Sequence, residues 1–159
     1  FSFKIINLTK DSFFFFFPDA VKDPDMFMLA EKINASSGMI IATPCFNFGV
    51  PAALKNLMDR LSYMALDPKK PNWLDQPSGL LNHLNNFYLV SCGTPWHFLL
   101  FVWPLFPAFW LRVVTWYFGA HTAGSIYGSG LNAQNLAKNN VKLLAKCRRA
   151  GEKYATKLL

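Results

Sequence analysis

Two patterns of apolar residues alternate along this chain. In one, apolar residues form short unbroken runs, as in "GMIIAT" (Gly38 to Thr43) and "NFYLVSC" (Asn86 to Cys92). A strand covered on both faces within a parallel sheet has this character. "FSFKIINL" (Phe1 to Leu8) reads the same way, and "HTAGSIYGSG" (His121 to Gly130) contains the last strand. In the other pattern, apolar residues recur every three or four positions, the spacing of one helical face. Met26, Leu29, Ala30 and Ile33 do so behind Asp23 and Pro24, a cap and a first-turn residue. Leu54, Leu57, Met58, Leu61 and Met64 do so behind Pro51. The stretch from Leu131 to Leu159 predicts a terminal helix with an apolar face of Leu136, Leu143, Leu144, Cys147 and Tyr154 and a basic opposite face. Strand and helix in alternation predict an open parallel α/β sheet with helices on both faces, in one domain spanning 1–159.

Three stretches stand outside this alternation. "DPKKPNWLDQPSG" (Asp67 to Gly79) reads as a long, turn-rich connection. "FFFFF" (Phe13 to Phe17) reads as a buried extended segment, because five exposed Phe in a row would invite aggregation. "WHFLLFVWPLFPAFWLRVVTWYFGA" (Trp96 to Ala120) has Arg112 as its only formal charge beside the titratable His97. Its length suits a membrane span, but Pro104 and Pro107 interrupt it, and it lies where a crossover between two sheet strands belongs. The expectation for its 98–118 portion is core plus an interface with another subunit. In-plane contact with a membrane is the alternative, and a true span the third. Arg112 would then meet an anionic lipid or a partner carboxylate, or snorkel to water.

Composition sharpens the picture. A hydrophobic fraction of 52 % with 16 Phe is high for a soluble domain, so apolar surface is expected to face a partner or a ligand. Charged residues at 16 % exclude a disordered chain. The net charge of +7 serves solubility or attracts phosphorylated ligands and anionic lipid. Lys138, Lys142, Lys146, Arg148 and Arg149 concentrate on the terminal helix, yet no nucleic-acid module accompanies them, so no nucleic-acid partner is expected. Three widely spaced cysteines argue against a disulfide framework or a structural metal and fit a reducing, cytoplasmic setting, with peripheral membrane contact as the alternative. The chain starts at Phe1 without Met, as a processed or truncated product would.

Ligands of open parallel sheets bind beyond the carboxyl ends of the strands. Two loops lie there, Thr43 to Gly49 and Gly93 to Phe98. Gly49 and Gly93 allow close backbone approach. Phe46, Phe48 and Trp96 supply flat apolar walls for a flat heteroaromatic ring rimmed by carbonyl and imide groups. Asn47 is a ligand contact or a turn-forming residue. Lys55 and Asp59, four apart on a helix, read as a solvated ion pair. Cys45 and Cys92 end adjacent strands and would lie close together, as two half-buried thiols or as a redox pair.

"ASSGMIIATPCFNFGVPAALKNLMDRLS" (Ala35 to Ser62) resembles the central block of the flavodoxin-like NAD(P)H-dependent FMN reductase superfamily, approximately A-D-x-I-I-x-T-P-E-Y-N-x-x-x-P-x-x-L-K-N-x-x-D-x-L-S. The positions that match are Ala35, Ile40, Ile41, Thr43, Pro44, Asn47, Pro51, Leu54, Lys55, Asn56, Asp59, Leu61 and Ser62. "FGAHTAGSIYGSGL" resembles the last strand of the related multimeric flavodoxin and iron–sulfur flavoprotein branch. The resemblance implies a flavodoxin-like fold and hydride transfer from a nicotinamide through FMN to a quinone-like or other small acceptor, with no catalytic acid–base pair. It implies an FMN site formed by Thr43, Pro44, Cys45, Phe46, Asn47, Phe48 and Gly49 on one side and Cys92, Gly93 and Thr94 on the other. Trp96 and His97 would face the substrate or nicotinamide. It also implies a homo-oligomer or a partner subunit joined through 98–118.

The sequence departs from the family in three ways. Cys45 stands where Glu is frequent, and Phe46 where Tyr is usual. The cysteine cluster of the iron–sulfur branch is absent, so no such cluster is expected. The family's first strand and its Gly-Ser-x-x-(Arg/Lys) phosphate loop have no counterpart, and the likeness starts at the second strand. The expectation is a domain whose missing part lies beyond this sequence or on another chain, or else a flavin-free flavodoxin-like docking subunit of a larger complex. An FMN electron carrier that does not use nicotinamide is the third possibility.

Overall fold

The computed structural model describes residues 24–72, 76–93, 107–132 and 137–159. The expected strand at Phe1 to Leu8, the Phe13 to Phe17 run and Leu136 lie outside the described residues.

Among the described residues, three parallel strands form the sheet: β1 (Gly38–Pro44), β4 (Asn85–Ser91) and β5 (His121–Gly128), in the order β1-β4-β5. The register of β1 on β4 runs from Gly38 opposite Asn85 to Pro44 opposite Ser91. On β5, Thr122 pairs with Asn86 and Gly124 with Phe87, so Ala123 bulges out of register. Because side chains alternate across a strand, Ile41 and Thr43 share a face with Asn86, Tyr88 and Val90. All five are buried there.

Two helices bring apolar stripes to that face. The helix α2 (Ala52–Ala65) starts where Pro51, with its φ fixed by the ring, occupies the N-cap position, and it ends at Leu66, which is already extended. Its buried face is Leu54, Leu57, Met58, Leu61 and Ala65. The helix α3 (Pro107–Tyr117) buries Ala108, Leu111 and Thr115. The helix α1 (Pro24–Asn34) joins the same core through Met26, Leu29 and Ile33. A fully buried Leu such as Leu111 or Leu84 is worth about 1.5–3 kcal/mol, so this layer supplies most of the driving force. One polar chain crosses it. The Tyr88 hydroxyl lies 2.5 Å from Thr115 Oγ1, and Thr115 uses its single proton on the Leu111 carbonyl at 2.8 Å, so Tyr88 is the donor of the first bond.

The opposite face carries the terminal helix α4 (Val141–Lys157). Its Tyr154 donates to the Asn85 carbonyl at 2.5 Å and sets its ring 5.5 Å from that of Phe87. The helix begins later than the periodicity predicts. A short 3₁₀ turn (Ala137–Asn139) precedes it, and Asn140 caps it by accepting from the Leu143 N–H at 3.0 Å. With the start fixed at Asn140, Leu143 and Cys147 turn toward the sheet and Leu144 points to solvent, contrary to the predicted apolar face.

The stretch expected to be an irregular connection contains an antiparallel hairpin, β2 (Leu66–Pro71) with β3 (Pro77–Gly79). Its Pro and Lys residues are poor strand formers, and they are tolerated because both strands are short and irregularly paired. The hairpin docks on the end of α3 without side chains. A Cβ on Gly79 would collide with the Phe118 carbonyl carbon and the Gly119 nitrogen. Gly119 itself has φ +94°, a left-handed conformation that closes α3. The Leu81 N–H then donates to the Phe118 carbonyl at 2.9 Å.

Candidate functional site

The chain leaves the carboxyl end of β1 through a tight hairpin. Phe46 and Gly49 exchange both backbone hydrogen bonds, at 3.1 and 2.9 Å. The two residues between them, Asn47 and Phe48, have φ of +48° and +64°. Positive φ at both central positions is the signature of a type I′ turn. Asn enters that region readily, whereas for Phe it costs about 1–2 kcal/mol. The turn-forming role of Asn47 is therefore realised. Its side chain is exposed, and its backbone N–H makes no hydrogen bond within the described residues.

Around this turn the expected residues distribute as follows. Pro44 is exposed and Phe46 is 61 % exposed, both at the rim. Phe48 and Gly49 are half-buried. Thr43 turns inward: it is 5 % exposed, and its hydroxyl donates to the Pro44 carbonyl at 3.0 Å. Gly93 is exposed. At neither Gly49 nor Gly93 does the chain's own packing demand glycine, since a Cβ there would meet its nearest atoms at 3.6 and 3.5 Å, ordinary contact. Thr94, Trp96 and His97 lie outside the described residues.

Cys45 and Cys92 do come together. The Cys45 N–H donates to the Ser91 carbonyl at 2.7 Å, which carries the β1/β4 pairing one step past the strand ends. The Cys92 N–H likewise donates to the Gly128 carbonyl at 2.8 Å, and the Cys92 carbonyl accepts from Leu131 at 3.0 Å. Cys92 is 4 % exposed, and Cys45 and Tyr127 pack on it. Burial pushes the Cys45 thiol up to about 11, and the neighbouring Cys92, which also shares a hydrogen bond with it, adds to the rise. The Phe48 N–H, directed at the same sulfur, pulls weakly the other way. Burial also raises Tyr127, and Arg112 opposes that rise.

Two neighbours on the helices complete the surroundings. Lys55 reaches both carboxylate oxygens of Asp59 at 2.6 Å, the solvated i,i+4 pair that the spacing predicts, and its ammonium lies 5.9 Å from the Trp110 ring on α3. Arg112 is tied inward rather than free for a lipid, donating from Nη2 to Ser125 Oγ at 2.6 Å. Among the described residues no cluster of three or more His, Cys, Asp or Glu could hold a metal ion, and no helix is long and apolar enough to cross a membrane. The inward-facing arginines Arg60 and Arg112 were not expected from sequence, because periodicity places a lone charge on the wet side of a helix.

Known proteins share both the sequence and the architecture. A family model described as NADPH-dependent FMN reductase matches residues 1–84. An FMN-dependent NADH:quinone oxidoreductase from Thiobacillus denitrificans is 35 % identical over 65 residues, which cover 41 % of this chain and 31 % of that protein. The aligned stretch thus spans under a third of that relative's length. In three dimensions, an FMN-dependent NADH-azoreductase from Bacillus anthracis, solved in complex with FMN, superposes with a TM-score of 0.66 at 16 % identity, over 91 % of this chain and 80 % of the other. An NAD(P)H:quinone oxidoreductase from Methanothermobacter marburgensis gives 0.61 at 16 % identity, over 80 % and 64 %. At such identities the structural likeness is one of fold, and that fold is the flavodoxin-like one. With more than half of its residues matched by the family model, the chain belongs to the NADPH-dependent FMN reductase family.

Proposed function

We propose that this chain acts in an FMN-dependent NAD(P)H oxidoreductase that passes electrons from a nicotinamide to a quinone-like or other small acceptor. The observation that carries the reading is the turn at Cys45 to Val50. It lies in the family's central block, at the carboxyl end of β1, and it is closed by two backbone hydrogen bonds with both central residues in the left-handed region. The residues present suit a flavin ring. The Asn47 N–H, unused among the described residues, offers a donor for a ring carbonyl. Pro44 and Phe46 offer exposed apolar edges, and at Gly49 and Gly93 the packing of the described residues does not itself demand glycine. Thr43 supports the turn from below, and Cys45 and Cys92 form the floor between the two strand ends. When bound, FMN supplies the chemistry by accepting a hydride and passing its electrons on. The part of the chain is then to bind, orient and shield the ring, and Trp96 and His97 are proposed to face the second substrate.

The same proposal extends to assembly with a second copy of the chain through α3. Phe109, Val113 and Trp116 are exposed at helical spacing, and Trp116 is 69 % exposed. Sedimentation should show an associating protein in which Trp116→Glu is monomeric, and a monomeric parent at high concentration would refute it.

The primary test is a visible absorption spectrum of the protein from its native source, before and after NAD(P)H. A flavin band that bleaches on adding nucleotide is expected. A band that nucleotide leaves unchanged would replace the reductase reading with an electron carrier. No band, even after incubation with FMN, would overturn the flavin reading and favour a docking subunit.

A further inference from the structure

Hydride transfer through a flavin makes no use of sulfur, yet two thiols meet on the floor of the site. Pro44 and Ser91 are register partners in a parallel pair, so Cys45 and Cys92 follow one step on, with the pairing still held by the Cys45 N–H. Neighbouring strands lie about 4.8 Å apart. That places the two Cα atoms within the span of about 4.4–6.8 Å that a disulfide bridges. Alternation puts both side chains on one face of the sheet, Cys45 packs on the buried Cys92, and both are free thiols. With no third donor beside them among the described residues, they do not make a metal site.

We propose that Cys45 and Cys92 are a redox-modification site: an oxidisable dithiol that closes to an intramolecular disulfide on exposure to a peroxide. The two sulfurs differ in access, which assigns their roles. Cys45 is half-buried beside the exposed Pro44 and Phe46, whereas Cys92 is buried beneath it. The Cys45 sulfur, as thiolate, attacks one peroxide oxygen, and the O–O bond breaks. The departing oxygen leaves as hydroxide and takes up a proton to become water. Cys45 is left as the sulfenic acid. The Cys92 sulfur then attacks the Cys45 sulfur, the S–O bond breaks, and a second water leaves carrying the Cys92 proton. In sum two thiols and one hydrogen peroxide give one disulfide and two waters. A dithiol reductant reverses the change by exchange, itself ending as the oxidised disulfide. Burial disfavours the Cys45 thiolate, so the first step is slower than at an open cysteine. Cys92, already in contact, makes the second step fast. The bridge would tie the base of the type I′ turn covalently to the end of β4.

Peptide mapping of the whole protein tests this without reference to any flavin. The protein is titrated with hydrogen peroxide, alkylated with iodoacetamide and digested without reduction. Cys147 on α4, across the sheet, serves as internal reference. The expected result is a cross-linked peptide pair containing Cys45 and Cys92, the loss of two hydrogens in intact mass, an alkylated Cys147, and full reversal by dithiothreitol. In Cys92→Ser the cross-link disappears, and Cys45 proceeds through a dimedone-trappable sulfenic acid to the sulfinic acid. Three results would overturn the proposal: a bridge that uses Cys147, sulfinic acid accumulating at Cys45 of the parent protein as fast as in Cys92→Ser, or oxidation at Cys147 while Cys45 and Cys92 stay reduced. Since the mapping of the parent protein is decisive alone, poor folding of the variant would not shield the idea.

Discussion

Asn47 allows the turn and the ligand contact to be separated experimentally. Its φ of +48° lies in the left-handed region, its side chain is exposed, and no packing depends on it. Replacing it with Ala keeps a Cβ but removes the short polar side chain that makes this region tolerable, at a cost of about 1 kcal/mol. Replacing it with Gly removes the Cβ conflict. The gain is offset by the greater freedom of Gly in the unfolded chain, about 0.5–1 kcal/mol, so the net change is close to zero. In urea, with a slope of roughly 2 kcal/mol per molar, Asn47→Ala should lower the midpoint by about 0.5 M, and Asn47→Gly should leave it near the parent value. FMN titrations on the same variants complete the separation. If the side chain touches the flavin, both variants lose affinity. If only the turn matters, Asn47→Gly binds like the parent and Asn47→Ala does not. An Asn47→Ala protein as stable as its parent, with an unchanged slope, would refute the reasoning about the turn. So would equal losses of stability in both variants.

Two further predictions concern the body of the domain. Asn86 is fully buried on the core face of β4, and neither of its amide atoms has a hydrogen-bond partner among the described residues, which costs about 1–3 kcal/mol. Asn86→Leu, an apolar replacement, should therefore raise stability by about 2 kcal/mol, seen as a higher Tm; a lower Tm would show that the amide is satisfied in solution. Burial, and secondarily Tyr88, pushes Tyr154 up from 10.0 to about 12. The folded state thus holds the phenol proton more tightly than the unfolded chain does, so this stability is intact below pH 10.0 and is lost as pH rises toward about 12. Cys45, raised to about 11, acts in the same direction. Tyr154→Phe should lose about 1 kcal/mol at neutral pH with the bond to Asn85 and show a flatter alkaline decline; an identical decline would exclude Tyr154 as its source.

The strands and helices whose apolar patterns are strong were legible in the sequence. The face of α2 and the Met26, Leu29, Ile33 stripe fold as their spacing dictates, because burying those side chains stabilises the fold more than any local preference could. Gly38 to Thr43 forms the expected strand but is not covered on both faces as its apolar run suggested: Ile41 and Thr43 are buried, while Ile40 on the other face is 45 % exposed. The position of the turn and the meeting of Cys45 with Cys92 follow from where strands end in a parallel sheet. Its type was hidden, since Asn-Gly is the usual signal and here Phe48 takes the second left-handed position. The β2–β3 hairpin was hidden because its pairing owes nothing to residue preference and depends on docking to α3. The start of α4 was in fact written in the sequence. "NNVKLL" offers an Asn cap, and the apolar spacing before it outweighed that signal. The burial of Asn86 and Arg60 could not be read from spacing, which counts polar residues as outward.

The contact between Gly79 and the Phe118–Gly119 turn also bears on the order in which the molecule assembles. Two backbone segments touch with no side chain between them, so the contact exists only once the turn that ends α3 has taken its left-handed form. The partners are far apart in sequence, and a hairpin this short is marginal alone. Docking of the β2–β3 hairpin therefore depends on that turn being formed. Gly79→Ala should chiefly speed unfolding while leaving the early collapse of β1, β4 and α2 untouched.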